Sequence, residues 1–176
     1  DQIEKIVIDD AYLMTRLQEE LMIQRPALEG KFQLYQDAKW PVMDLYKISS
    51  QLQKAMQKRV MLQDGGYLFI EETEALAVID VNTGKSIRGQ LKEEAITAFN
   101  LKTVPVIVQQ ILLRNLAGII VIDFIDMKKN EHQKQVLDAL TEEFKKDRRK
   151  TQIFGFTRLE LVEISRERKG LPLSKI

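Results

Sequence analysis

The chain has 176 residues, 44% of them hydrophobic and 30% charged, which suits one folded domain or two small ones and excludes a disordered segment. It has no cysteine, so a disulfide scaffold, a cysteine-ligated zinc site and a thiol nucleophile are excluded for these residues, and a reducing cytoplasm is the expected setting. The balance of 27 Lys/Arg against 26 Asp/Glu leaves a formal net charge of +1, too little for a global field that gathers nucleic acid.

In chain order, weak alternation from Ile3 to Ile8 predicts a short strand. Asp9-Asp10 then stands where an N-cap belongs, ahead of a helical pattern through Leu13, Leu17, Leu21 and Met22. Lys39-Trp40-Pro41 predicts a loop, because the residue before proline avoids the helical region. Tyr46, Ile48, Leu52 and Met56 then predict a second helix. Arg59 to Leu62 and Tyr67 to Ile70 flank Gln63-Asp64-Gly65-Gly66, which is hairpin turn chemistry. With a further strand over Ala75 to Asp80, three strands in succession predict an antiparallel meander.

Glu93 to Asn115 reads as largely helical, with an interruption and fresh start near Thr103 because Pro105 lacks the N–H a helix interior needs. Gly118 precedes Ile119-Ile120-Val121-Ile122-Asp123, a continuous apolar run expected of a strand covered on both faces. Asn130 to Lys146 predicts an amphipathic helix with Val136, Leu137, Leu140 and Phe144 inward, and Gln152 to Phe156 and Leu159 to Ser165 read as closing strands. The sum is a mixed α/β (α+β) chain. No apolar run approaches the roughly 20 residues that span a bilayer, and no signal peptide is seen at the start. Beginning at Asp1-Gln2 and not at methionine, the chain reads as a fragment of a longer protein.

Two strands are apolar until they end in aspartate. One is Ala75-Leu76-Ala77-Val78-Ile79-Asp80-Val81-Asn82, and the other is Ile119-Ile120-Val121-Ile122-Asp123. Open α/β sheets bind ligands outside the carboxyl ends of their strands. Two carboxylates brought together repel unless a cation joins them. Mg²⁺ suits such a pair, because it takes one or two carboxylates and keeps waters and substrate phosphates as its other ligands. Asn82, two residues beyond Asp80, falls on the same strand face. Aspartate after a strand is also ordinary turn chemistry, so both readings stand at this point. Asp126 is a candidate third ligand or a simple cap. His132, the only histidine, offers little for a histidine-based metal site and is expected to face solvent on a charged helix start.

Cations flank these motifs. Lys85, Arg88 and Arg114 are each phosphate contacts or surface charges, and surface charge is the reading for Arg114. Lys145-Lys146-Asp147-Arg148-Arg149-Lys150 is either a phosphate-neutralising cluster or a solvated helix end. Tyr67, Phe124, Phe154 and Phe156 are the aromatics available for base stacking, in a pattern more typical of core packing. Glu71, Glu72 and Glu74 read as a solvated turn.

Gly65-Gly66-Tyr67-Leu68-Phe69-Ile70, Thr73-Glu74-Ala75-Leu76 and Val78-Ile79-Asp80-Val81-Asn82-Thr83-Gly84-Lys85 together resemble the catalytic core of the ribonuclease E/G family. So do Leu112 through Met127, Asp147-Arg148, and Glu163-Ile164-Ser165-Arg166-Glu167-Arg168, and the resemblance runs from about Ile3 to Leu171. It implies a Mg²⁺-dependent endoribonuclease acting on single-stranded RNA, with Mn²⁺ as a possible substitute. Asp80 and Asp123 match the metal-binding aspartates, and Asn82 matches the asparagine that supports the attacking water. Residues 1–58 would be the later part of an RNase H-like subdomain and residues 59–176 a DNase I-like catalytic subdomain with a mixed sheet and flanking helices. Lys85, Arg88, Arg148 and Lys150 are the weaker RNA-binding candidates; Lys150 stands where relatives can carry an arginine near the RNA 5′ end. The family's S1 domain and 5′ sensor would precede Asp1, and its zinc-binding cysteine pair would follow Ile176, so zinc belongs only to absent residues. A homodimer through the DNase I-like part is implied. For the fragment alone, weak or absent activity is expected, and a non-catalytic RNA-binding or scaffold module is the competing reading.

Overall fold

The computed structural model describes residues 3–63, 65–84 and 92–175. The chain divides into two compact units, residues 1–54 and 55–176.

In the first unit, strand β1 (Ile6–Ile8) pairs in parallel with β2 (Phe32–Leu34). Helix α1 (Ala11–Gln24) connects them. Asp10 is its N-cap, with Oδ1 accepting from the Leu13 N–H at 2.7 Å, as the Asp9-Asp10 motif predicts. Two short helices follow, α2 (Val42–Leu45) and α3 (Ile48–Ala55). The helix expected through Tyr46, Ile48, Leu52 and Met56 is α3, and Lys47, with a left-handed backbone at φ 57°, separates it from α2. Ile8 and Leu28 are buried, while Tyr12, Leu13, Ile23 and Trp40 are exposed, so this unit buries little apolar surface of its own.

The second unit is a two-layer α/β structure. Its sheet has β3 (Arg59–Met61), β4 (Tyr67–Glu72), β5 (Leu76–Asn82), β6 (Gly118–Asp123), β7 (Thr151–Phe156) and β8 (Leu161–Arg166), in the order β3-β4-β5-β6-β8-β7. The first three strands form the expected antiparallel meander. Helix α4 (Glu93–Arg114) then crosses over, and β5 and β6 run parallel. Helix α5 (Asn130–Phe144) leads to the closing antiparallel pair β7–β8.

Strand alternation sorts the sheet into two faces. Leu68, Ile70, Ala77, Ile79, Val81, Ile120, Ile122, Val162 and Ile164 are buried with Val104, Ile107 and Ile111 of α4 and Val136, Leu140 and Phe144 of α5. The opposite face carries Phe69, Val78, Asp80, Val121, Asp123 and Glu163. On it Phe69, Asp123 and Glu163 are exposed, and Val78, Asp80 and Val121 are half-buried. Ile119 is 53% exposed, so β6 is buried on one face only and the expectation of two covered faces is corrected.

Pro105 does not break α4, which continues through it. Its ring lies on the exposed side of the helix, where water can meet the Leu101 carbonyl left without a donor. Among the described residues α4 is the one helix long and apolar enough, by composition, to cross a membrane, and half of that stretch is buried.

Candidate active site

The parallel pairing of β5 and β6 sets Asp80 and Asp123 directly in register at the carboxyl end of both strands. Neighbouring strands lie about 4.8 Å apart, so the two carboxylates share one face and one edge of the sheet. Asp123 is exposed and Asp80 half-buried. The Asp123 carboxyl is nonetheless pushed above the ordinary carboxylate range, first by desolvation and then by the charges of Asp80 and Asp126. Such a pair is short of positive charge. Its oxygen donors suit a hard divalent cation. Among the described residues no group of three or more His, Cys, Asp or Glu side chains gathers for a metal, which leaves water and substrate oxygens as the remaining donors. Asp126 is exposed and reaches the pair only through its field.

Asn82 Nδ2 donates to Asp80 Oδ2 at 2.7 Å, so the amide holds one carboxylate oxygen in place. The glycines of the hairpin shape this end of β5. A Cβ on Gly66 would stand 2.5 Å from the Asn82 carbonyl oxygen and 2.6 Å from Cζ of Phe99. Gly84, with φ +75°, would place a Cβ 2.5 Å from the Gly65 carbonyl oxygen. The Gly65-Gly66 and Asn82-Thr83-Gly84 motifs are therefore two halves of one close backbone contact.

The segment after Asp123 is pinned by residues that the sequence did not mark. Asn100 Nδ2 donates to the Ile125 carbonyl at 2.8 Å, and the Ile125 N–H donates to Asn100 Oδ1 at 3.2 Å. The Lys129 N–H donates to Glu93 Oε1 at 2.6 Å, and Gln133 Nε2 donates to the Met127 carbonyl at 3.1 Å. His132 is not solvent-facing as expected. Its ring is mostly buried, with Nδ1 3.1 Å from Glu93 Oε1, tying the starts of α4 and α5 together. A buried Asn mid-helix was the one available signal, because an apolar α4 face has no use for an amide without a partner.

The cations separate into groups. Lys85 and Arg88 lie outside the described residues. Arg114 is no surface charge: it is buried, with Nε donating to Gln110 and Nη2 to the Gln57 carbonyl at 2.6 Å. Arg148 and Lys150 are exposed just before β7. Thr151 pairs with Arg166, which pairs with Gly118, so these cations sit at the opposite edge of the sheet from Asp123. Gly118 and Asp123 are the two ends of β6, roughly 16 Å apart along the strand. Lys145 and Lys146 pair with Glu142 and Glu143 one turn back, as a solvated helix end does. Asp147 is buried against Arg166, which donates through Nε at 2.7 Å and Nη2 at 3.2 Å. Burial raises the Asp147 carboxyl, but the Arg166 hydrogen bond, the Arg149 N–H, the Arg166 charge and the Thr151 hydroxyl outweigh it and hold it low. Glu71 and Glu72 belong to β4 and not to a turn; Glu71 pairs with Lys58 and Glu72 accepts from Ser174.

A model of the "Ribonuclease E/G family" matches residues 1–169. The chain is 43% identical to ribonuclease G of Haemophilus influenzae over 166 residues, covering 94% of this chain and 34% of the relative. It is 36% identical to ribonuclease G of Escherichia coli K12, over 95% of this chain and 34% of the relative. Ribonuclease E of Haemophilus influenzae is 37% identical over 94% of this chain and 18% of its own length. The chain thus spans about a third of the ribonuclease G relatives.

Proposed function

The chain belongs to the ribonuclease E/G family, and on that premise we propose that the intact protein is a divalent-metal-dependent endoribonuclease that hydrolyses phosphodiester bonds in single-stranded RNA. One observation carries the reading: Asp80 and Asp123 meet in register at the carboxyl ends of two parallel strands, on one face of the sheet.

In this reading Asp80 and Asp123 hold Mg²⁺, or Mn²⁺ in its place. Once bound, the ion supplies polarisation of a phosphoryl oxygen and a more acidic water. The protein supplies position. Asn82 fixes the Asp80 carboxylate and presents a neutral amide beside the attacking water. Asn100, Glu93 and Gln133 hold the backbone after Asp123, so that its carboxylate does not drift from its partner. Positioning of this kind supplies a large share of a rate.

The second unit serves as the DNase I-like catalytic subdomain and the first as the later part of an RNase H-like subdomain; the sparse core of the first unit supports that reading. Two copies pair through the second unit, where Phe154 and Leu159 leave large apolar surfaces exposed beside edge strand β7. Arg148 and Lys150 act on RNA away from the cleavage point.

The test is cleavage of a single-stranded RNA by the intact protein with Mg²⁺ and with EDTA. Asp80→Asn and Asp123→Asn should each abolish Mg²⁺-dependent cutting. Wild-type rates in either variant would remove the assignment.

A further inference from the structure

The face of the sheet that bears Asp80 and Asp123 also carries aromatic side chains in register with the carboxylate pair. On β4, Phe69 stands opposite Asp80 and Tyr67 opposite Asn82. On β3, Arg59 stands opposite Phe69 and Met61 opposite Tyr67. The Arg59 guanidinium lies over the Tyr67 ring, its central carbon 3.9 Å from the ring centroid. Phe69 is 36% exposed, and Arg59 and Met61 are exposed. Two parallel rows therefore cross the sheet: Met61–Tyr67–Asn82, and Arg59–Phe69–Asp80–Asp123.

We propose that Phe69, together with the Arg59–Tyr67 stack, is a base-stacking platform that holds the nucleobase of single-stranded RNA next to the phosphate presented at Asp80 and Asp123. The proposal rests on the ribonuclease reading and names a substrate contact within it.

Three observations favour RNA as the occupant. Side chains of directly paired residues are neighbours about 4.5–5.5 Å apart, so a base lying on Phe69 adjoins the Asp80 carboxylate with no gap to bridge. An aromatic ring and a guanidinium plane are the two surfaces on which unpaired bases stack, whatever their sequence. Charge also limits the path. In the next row of the same face Val121 pairs with Glu163, whose exposed carboxylate repels a phosphate backbone, while Glu71 at the other end of that row is neutralised by Lys58. Arg59 is the cation at the other end of the aromatic row. The charge on this face thus favours the two rows that contain Asp80, Asn82 and Asp123 as the path of the RNA strand. Cross-strand packing alone accounts for an aromatic–aliphatic pair such as Tyr67 and Met61; it does not account for an exposed phenylalanine beside the carboxylates.

The experiment is equilibrium binding of a short single-stranded RNA by the intact protein in EDTA, so that binding is read without cleavage. A second RNA carries one abasic nucleotide beside the cleavage position. Stacking on an aromatic side chain contributes enough that its loss weakens binding by about tenfold. Phe69→Leu keeps an apolar side chain but has no ring, and should weaken binding of the normal RNA by that factor; Phe69→Trp should restore it. The abasic RNA should bind wild type about tenfold more weakly and bind Phe69→Leu no more weakly still, because both changes remove one contact. Phe69→Leu should bind Mn²⁺ as wild type does. Equal binding of both RNAs by wild type, or losses that multiply, would overturn the platform while leaving the metal site standing. A change in sedimentation with RNA binding untouched would overturn it too, and assign the face to a second copy. A wild-type protein that neither binds nor cuts RNA would remove the ribonuclease reading itself.

Discussion

The side chain of Asn100, fully buried in α4, and the backbone of Ile125 exchange two hydrogen bonds, Nδ2 to the carbonyl at 2.8 Å and the Ile125 N–H to Oδ1 at 3.2 Å. This pair fastens the segment that leaves the sheet at Asp123 to the helix that follows Asp80. It joins the two carboxylate strands at a second point, behind the sheet.

Asn100→Ala leaves both Ile125 groups without their partner. A buried polar group stripped of its partner costs about 1–3 kcal/mol. Urea unfolding should show a loss of about 2 kcal/mol. The rate at saturating RNA should fall more than KM rises, because the displaced carboxylate acts on chemistry and not on the stacking rows. Unfolding shifted with turnover intact would reduce Asn100 to a purely structural role.

Asp123 supplies a pH prediction. Its carboxyl is raised by burial, by Asp80 and by Asp126. A raised acid destabilises the metal-free fold when ionised, so without metal this contribution improves as pH falls through the folded value. Metal binding has the opposite slope, since the proton and the cation compete for the same oxygens. Mn²⁺ affinity should therefore begin to fall at a pH above the roughly 3.9 of an ordinary aspartate. Asp123→Asn should raise the metal-free melting temperature slightly and abolish Mn²⁺ binding. Undiminished Mn²⁺ affinity in Asp123→Asn would sink the site.

Much of this was readable from residues in order. Asp10 capped the helix it preceded, and the alternation of β5 placed Asp80 and Asn82 on one face, because caps and strand periodicity are local. Pairing was not local. Nothing in the order of residues sets Phe69 beside Asp80, buries Arg114 on the Gln57 carbonyl or carries Lys150 to the far edge of the sheet. Pro105 misled for a related reason: the tertiary packing of Val104, Ile107 and Val108 holds the helix through a residue that local propensity would use to end it. The apolar run of β6 misled because Ile119 stays apolar on a face where half of it is exposed.

The Asp147–Arg166 pair should behave as a buried structural ion pair, with side chains 4% and 3% exposed. Arg166 also donates to the Leu116 carbonyl at 2.8 Å, so it binds the start of β6 to the segment before β7. Asp147→Asn removes one charge of a buried pair and should cost about 3–5 kcal/mol in thermal or urea unfolding. The lowered Asp147 carboxyl gives stability that is present above its unfolded value, about 3.9, and is lost as pH falls through the folded value. An acid titration of stability should thus be steeper in wild type than in Asp147→Asn below about pH 4. Parallel titrations would show that the pair contributes nothing.

Pro105 offers a stabilising change. Alanine restores the N–H that Leu101 lacks as a donor and removes the ring from the interior of α4. Proline in a helix interior costs about 3 kcal/mol against alanine, and the unfolded chain gains back about 0.4–1 kcal/mol of entropy cost when proline is lost. Pro105→Ala should therefore raise stability by about 2 kcal/mol. RNA cleavage should be unchanged, since Pro105 faces solvent. A lower melting temperature would mean that the ring is packed usefully where it stands.

Gly66→Ala tests the close contact that shapes the catalytic end of β5. The added methyl would meet the Asn82 carbonyl oxygen at 2.5 Å and the Phe99 ring at 2.6 Å, and neither can be answered by a flexible side-chain tip alone. Both the Asn82 backbone and the Phe99 ring must give way, or the backbone at 66 must move from both. Overpacking of this kind costs about 1–3 kcal/mol. Moving the Asn82 backbone also moves the amide that holds Asp80, so cleavage should fall by tenfold or more, about 1.4 kcal/mol of lost transition-state stabilisation, while Mn²⁺ still binds the carboxylates. Combining Gly66→Ala with Phe99→Leu, which shortens the obstructing ring, should recover part of the activity. If cleavage survives Gly66→Ala at the wild-type rate, the hairpin does not set the position of Asn82, and the reason for a glycine at 66 must lie with Phe99 alone.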